Sequence, residues 1–228
     1  MKRIVIDPGH GAGVNLYPDG SHSEGTQMYQ LGYHLFQELK SFGRYNLTST
    51  RLTSEQNPDV ASRGKSAKGA DLFISLHSNA AAKDTVQRVV VIPNIANVDT
   101  GFRSFCQEIG DAVKTAMAIK EATQIFDRSY QDVNTGKIMN YYAVLRNANE
   151  VGCKNCLIVE HSFHTTPAMA GLLCQDPVLK LIAKKEAAVI DSFLSPGAAA
   201  PADYWGHNGS DTVTWAELWE LLHDPDAE

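Results

Sequence analysis

The sequence has no apolar run long enough to cross a bilayer, which takes about 20 consecutive apolar residues, so no membrane-spanning segment is expected. It also lacks the core of a signal peptide. Lys2 and Arg3 imitate the charged start of one, but the apolar run behind them is only Ile4 to Ile6, well short of an h-region. The expectation is a product made in the cytoplasm, or one whose leader was removed ahead of this numbering. Positive charge is not in excess either. With 20 Lys and Arg against 26 Asp and Glu, the formal net charge is −6, which gives no global basic footprint for nucleic acid. No internal repeat is visible.

Cysteine is scarce. Four cysteines in 228 residues (Cys106, Cys153, Cys156, Cys174) do not make the framework of a small disulfide-stapled fold. Cys153 and Cys156 form a CxxC with His161 and His164 close behind, which suggests a zinc knuckle. The spacing argues against it. A zinc finger needs about twelve residues between its cysteine and histidine pairs, whereas Leu157-Ile158-Val159 fills this gap as a buried strand.

What is present is ordinary core material, at 43% hydrophobic and 20% charged residues, enough for one domain with its own core. Strand-like runs cover 3–6, 46–51, 72–77, 88–92, 141–145 and 156–161. Several of them (IVI, LFISL, VVVI, LIV) are continuously apolar, as strands covered on both faces are. Leu31, Leu35 and Leu39 mark a first helix that Gly43 ends, and later helices are expected over 59–68, 100–118, 167–174 and 177–193. This alternation predicts an α/β fold with a mostly parallel sheet of six strands flanked by helices, occupying 1–194. After Leu194, SPGAAAP reads as a linker. The segment 195–228, linker and tail together, is expected to carry a short amphipathic helix over 214–222.

Function in a parallel sheet gathers at the carboxyl ends of its strands, and here those ends share a chemistry. The first strand runs into His10, held between Gly9 and Gly11; the third ends at His77; the last ends at Glu160. Glu24, where the first loop enters the first helix, faces the same edge. Two imidazoles and a carboxylate form a His2Glu set, a common catalytic zinc shell that leaves a fourth position for water. Glu160 fits the second carboxylate such a site needs, taking the proton of that water and passing it to the leaving amine. Taken singly, each residue has a plainer reading, as a polar strand terminus or a favourable charge at a helix N-terminus. The combination carries the inference.

These motifs, in the order IDPGHG, a glutamate opening the first helix, ADLFISLHSNA and LIVEHSF, resemble the zinc-dependent N-acetylmuramoyl-L-alanine amidases of the type 3 family. The resemblance runs from Met1 to about Leu194. It implies a twisted sheet flanked by helices, one Zn2+, and hydrolysis of the amide joining muramic acid to the first L-alanine of the peptidoglycan stem. Carried over by motif, it makes His10, Glu24 and His77 the metal ligands and Glu160 the catalytic carboxylate. Thr50-Arg51 and Arg63 match family positions read as structural. Two departures stand out. The family's Glu-x-Gly-Phe-x-Ser-Asn is Glu160-His161-Ser162-Phe163-His164-Thr165-Thr166 here, and Gly25 follows Glu24 where the family has lysine or a similar polar residue. Glu38, more than three turns further along the helix, is the poorer alternative to Glu24.

Some family members carry a long helical insert that blocks the zinc. The stretch 119–141 is polar and short, so an enzyme open as made is expected. An unblocked wall hydrolase without an export signal resembles a phage endolysin, and that origin is favoured over a host enzyme stripped of its leader. The chemistry alone leaves other zinc peptidases and acyl-amino-acid deacylases open. A carboxypeptidase would need an arginine for the terminal carboxylate, and none is identified. A non-catalytic wall-binding module would have lost a ligand or the base, and all four candidates are present.

Overall fold

A computed structural model of the chain describes residues 1–198. Its first strand, β1 (Lys2–Pro8), is the IVI run expected. Beside it lie β2 (Tyr45–Ser49) and β3 (Leu72–Asn79), both parallel to it. Two further strands, β4 (Val90–Pro93) and β5 (Gln124–Ile125), reach the far edge. A hairpin of β6 (Ser129–Gln131) and β7 (Ile138–Asn140) stands apart, and β8 (Cys156–Phe163) returns to the centre of the sheet. The six-stranded order is β2-β1-β3-β8-β4-β5, parallel except where β4 meets β8. The chain moves from β1 to β2 on one side and then to β3 on the other. The β1/β3 boundary is therefore the point where the winding reverses, the place where such sheets bind ligands.

Alternate residues of these strands feed two apolar clusters. Ile4, Ile6, Ile74, Leu76 and Val159 face α1 (Glu24–Ser41), α3 (Thr100–Ala116), α5 (Pro167–Leu173) and α6 (Asp176–Leu194). Val5, Phe73 and Ile158 face a thinner layer made by α2 (Val60–Lys65) and α4 (Ala143–Glu150). Gly64 lets these two helices touch, since a Cβ there would sit 2.4 Å from the Val144 carbonyl oxygen. Asp7, Ser75, His77 and Glu160 continue the second face beyond its apolar part.

Two sequence expectations need correction. The run 141–145 is not a strand but the entry to α4. Its aromatic and β-branched residues suit a strand locally, yet Val144, Leu145 and Ala148 fall on one helical face that the second cluster buries. The sixth strand is β5, only two residues long and too brief to leave a periodic signal. The Cys153/Cys156 pair holds no metal-binding arrangement with the histidines. All four cysteines are free, and Cys153 and Cys156 are buried under α4. The helix expected over 214–222 lies outside the described residues.

The stretch 119–141 folds into β5 and the β6–β7 hairpin and contains no helix.

The carboxyl end of β8 carries a bulge. Between His77 and Asn79, β3 advances two residues while β8 advances three, from Glu160 to Phe163. Ser162 takes up the slack at φ 65, in the left-handed region that suits glycine. Its hydroxyl is buried with no partner. The side chain thus occupies a strained site and makes no bond there. Ser162→Gly should raise stability by about 1 kcal/mol, the relieved strain and desolvation outweighing glycine's greater unfolded-state entropy. A denaturant midpoint that moves up with an unchanged m-value is the expected reading. A midpoint that moves down would show that Ser162 is not strained.

Candidate metal centre

The loop from Gly9 to Ser23 brings the first ligand candidate over the sheet edge. Gly9 is needed here, because a Cβ on it would lie 2.5 Å from the His77 ring. His10 follows at φ 57, a left-handed turn that tips its imidazole back toward the sheet. The loop ends at Ser23, whose hydroxyl caps α1 by accepting from the Thr26 amide. Glu24 therefore opens the helix pointing inward. Gly25, the departure from the family pattern, has a packing reason: its Cβ would fall 1.8 Å from the Gly11 carbonyl oxygen.

His10, Glu24 and His77 converge, with donor atoms all within 4.8 Å of one another. Glu24 Oε1 is 2.9 Å from His77 Nδ1, and Glu24 Oε2 is 3.4 Å from His10 Nε2. The two imidazoles meet edge to face, with centroids 5.0 Å apart. Glu24 is only 2% exposed, and two groups that sequence reasoning passed over orient it. Asn15 Nδ2 donates to Oε2 at 2.6 Å and the Ser78 amide donates to Oε1 at 3.0 Å. Such partners fix the direction of a ligating carboxylate. An asparagine in the first loop, at φ 56, gave no periodic signal by which to find it.

The charges in this group support each other. Burial acts to raise Glu24, but the His77 bond and the charges of both imidazoles overcome it and hold the carboxyl at about 2. Burial opposes the charge on His77 too, yet Glu24 lifts it to about 9. His10 is lowered, chiefly by burial, against the pull of Glu24. The anionic carboxylate thus draws positive charge to itself, the behaviour a cation site requires.

Glu160 sits opposite His77 in register across β3 and β8. It is 8% exposed, and its Oε2 is buried with no hydrogen-bond partner. Burial pushes its carboxyl up to about 7, the Glu24 charge adding to this while His77 and His161 oppose it. His10, Glu24, His77 and Glu160 all line one cleft of about 400 Å³ at the carboxyl edge. No residue of 119–141 lines it.

Arg51 and Arg63, expected from the sequence to be structural, are both buried. Arg51 is 1% exposed, and its Nη1 donates to the Gly9 carbonyl at 3.0 Å and the Gly25 carbonyl at 2.8 Å. Arg63 Nη1 donates to Asp7 Oδ1 at 2.8 Å and the Pro8 carbonyl at 2.7 Å, and its Nη2 to the His10 carbonyl at 2.7 Å. The two histidines of β8 and its exit part company. His161 is wholly buried away from the cleft, its Nδ1 donating to the His77 carbonyl at 3.0 Å and its Nε2 facing Glu186 at 3.0 Å. His164 lines the cleft and stacks on Tyr17 at 5.2 Å.

Solved structures with this fold include an N-acetylmuramoyl-L-alanine amidase from Clostridium difficile 630, with a TM-score of 0.71 and 18% identity over 86% of this chain and 98% of that one. The catalytic domain of CwlV, an N-acetylmuramoyl-L-alanine amidase from Bacillus (Paenibacillus) polymyxa var. colistinus, aligns with a TM-score of 0.69 and 17% identity over 85% and 98% of the two chains. An N-acetylmuramoyl-L-alanine amidase of Nostoc punctiforme gives 0.67 and 17% over 85% and 97%. A comparison with curated protein sequences finds no match. The sequence profile of the N-acetylmuramoyl-L-alanine amidases matches residues 4–192, nearly the whole described chain, and the protein belongs to that family of peptidoglycan amidases.

Proposed function

We propose that the protein is a zinc-dependent amidase that hydrolyses the bond between N-acetylmuramic acid and the L-alanine of the stem peptide, with His10, Glu24 and His77 as ligands and Glu160 as general base. The observation carrying this reading is the convergence of two imidazoles on a buried carboxylate, beside a second carboxylate with an unpartnered oxygen. The donor set fits zinc: nitrogen and oxygen ligands, three in number, with room left in the cleft. Bound there, zinc supplies a Lewis acid for the scissile carbonyl and lowers the pKa of a water toward neutrality.

The chain's own residues do the rest. Asn15 and the Ser78 amide hold Glu24 in one orientation. Arg51 and Arg63 fix the backbone that carries His10 and Glu24. Glu160 accepts a proton from the attacking water at its carboxylate and returns it to the departing L-alanine nitrogen, so the amine leaves neutral. Carboxypeptidase action is disfavoured on chemical grounds, because the guanidinium of Arg63, the arginine at the cleft, is already bonded to Asp7, Asn57 and backbone carbonyls. An endolysin-like, lytic role belongs to the same reading, supported by a cleft that the stretch 119–141 leaves uncovered.

Mass spectrometry of digested peptidoglycan tests the reaction. Released stem peptides with a free L-alanine amine and uncut glycan strands are expected, and newly exposed sugar reducing ends would overturn it. The lytic role predicts that whole walls clear without an added activating protein. For the ligands, His77→Ala should lose zinc in a metal assay, and unchanged zinc content would remove His77 from the set.

A further inference from the structure

Outside the cleft, a second group of donors converges. Asp19, His22 and Cys174 bring a carboxylate oxygen, an imidazole nitrogen and a thiol sulfur within 4.8 Å of one another. They come from two distant segments, the loop that joins His10 to Glu24 and the C-cap of α5. The loop is folded on itself: the Tyr17 amide donates to the His22 carbonyl at 2.9 Å, and the Gly20 amide to the Tyr17 carbonyl at 2.9 Å. Asp19 Oδ1 accepts from the Ser21 and His22 amides, each at 3.0 Å, while Oδ2 meets His22 Nδ1. Backbone bonds therefore set Asp19 and His22 in place before any ion arrives. Cys174 is held independently, its amide donating to the Ala170 carbonyl at 3.0 Å.

The chemistry of the donors selects the ligand. Calcium and magnesium take oxygen almost alone. A set of sulfur, nitrogen and oxygen suits a borderline-soft divalent ion such as Zn2+ or Co2+. Access also differs from that of the other thiols: Cys106, Cys153 and Cys156 are buried, and Cys174 is partly exposed. Burial, with the Asp19 charge adding to it, pushes the Cys174 thiol up to about 11.

We propose that Asp19, His22 and Cys174 form a second divalent-metal site, of the zinc class, that ties the loop between His10 and Glu24 to the end of α5. The fourth coordination position falls to water. The ion displaces the thiol proton to solvent on binding. Occupancy links two segments about 150 residues apart in sequence, restricting the loop that leads from one catalytic ligand candidate to the next.

The sulfur makes this site separable from the cleft, whose candidates include no cysteine. Titrating the metal-free full chain with Co2+ should produce a near-ultraviolet thiolate-to-cobalt charge-transfer band. That band should persist in His77→Ala, disappear in Cys174→Ser and weaken in His22→Ala. Equilibrium dialysis should count one ion fewer per chain in Cys174→Ser than in wild type, with peptidoglycan digestion at low zinc unchanged. Should Cys174→Ser fail to fold, His22→Ala serves in its place, its second site only partly filled at the Co2+ concentration that saturates the wild type. No band in the wild type, or a band that survives Cys174→Ser, would overturn the proposal. Failure of the cleft assignment reads differently, as zinc content unchanged by His77→Ala.

Discussion

Glu160→Gln should fold, bind zinc as the wild type does, and hydrolyse peptidoglycan roughly 10²–10⁴ times more slowly, the range that a positioned general base contributes. The amide keeps the volume of the carboxyl and loses only its basicity. Stability should change little, because Glu160 Oε2 has no hydrogen bond to forfeit and the relief of a buried charge offsets the cost of burying an amide NH2. Substrate binding should be retained, so the loss falls on kcat rather than KM. The measurement is turnover on purified walls alongside zinc content and a melting curve. Activity within about tenfold of wild type would take the proton transfer away from Glu160. Loss of zinc along with activity would instead make Glu160 part of the metal shell.

The four candidates of that site were legible because His10, His77 and Glu160 stand at or near the ends of readable strands and Glu24 opens the first helix. The runs IVI and LIV are apolar without interruption and LFISL is broken only by Ser75, so a histidine or glutamate at their ends is conspicuous. Their adjacency was legible too, since parallel strands align their carboxyl ends at one edge. What surrounds them was not. Asn15 reaches Glu24 across a loop with no period, and the Ser78 amide is backbone, which no side-chain pattern reports. The reversed direction of β4 is set by its pairing with β8 rather than by its own residues. The helix α4 was misread because five residues of apolar and aromatic character suit either state until a neighbour covers one side. The pairing of His161 with Glu186, 25 residues apart and both wholly buried, likewise exists only once α6 has docked on the sheet.

Arg63→Ala is the most damaging change expected for the fold. The side chain is 5% exposed, and Asp7, its ion-pair partner, is 1% exposed. Its three nitrogens serve the Pro58, Pro8 and His10 carbonyls together with Asp7 and Asn57. Truncation leaves the Asp7 charge buried with only the Thr50 hydroxyl at 2.6 Å and the Ser75 hydroxyl at 2.7 Å, and it strips donors from the carbonyls of the first loop. Breaking a buried pair from one side costs about 3–5 kcal/mol. For a chain of this size that lowers the melting temperature by roughly 10 °C. The melt belongs on metal-stripped protein, so that weaker zinc binding does not add to the difference. Arg63→Lys should recover only part of the loss, because one ammonium cannot reach carbonyls and carboxylate arranged for a planar fork. The double variant Asp7→Asn with Arg63→Ala separates the charge from the carbonyl bonds. If the uncompensated Asp7 carboxylate dominates, the double variant is more stable than Arg63→Ala alone. Equal instability would instead assign the damage to the unsupported His10 loop, and a shift of only a degree or two in Arg63→Ala would mean the buried pair is not what holds that loop to the sheet.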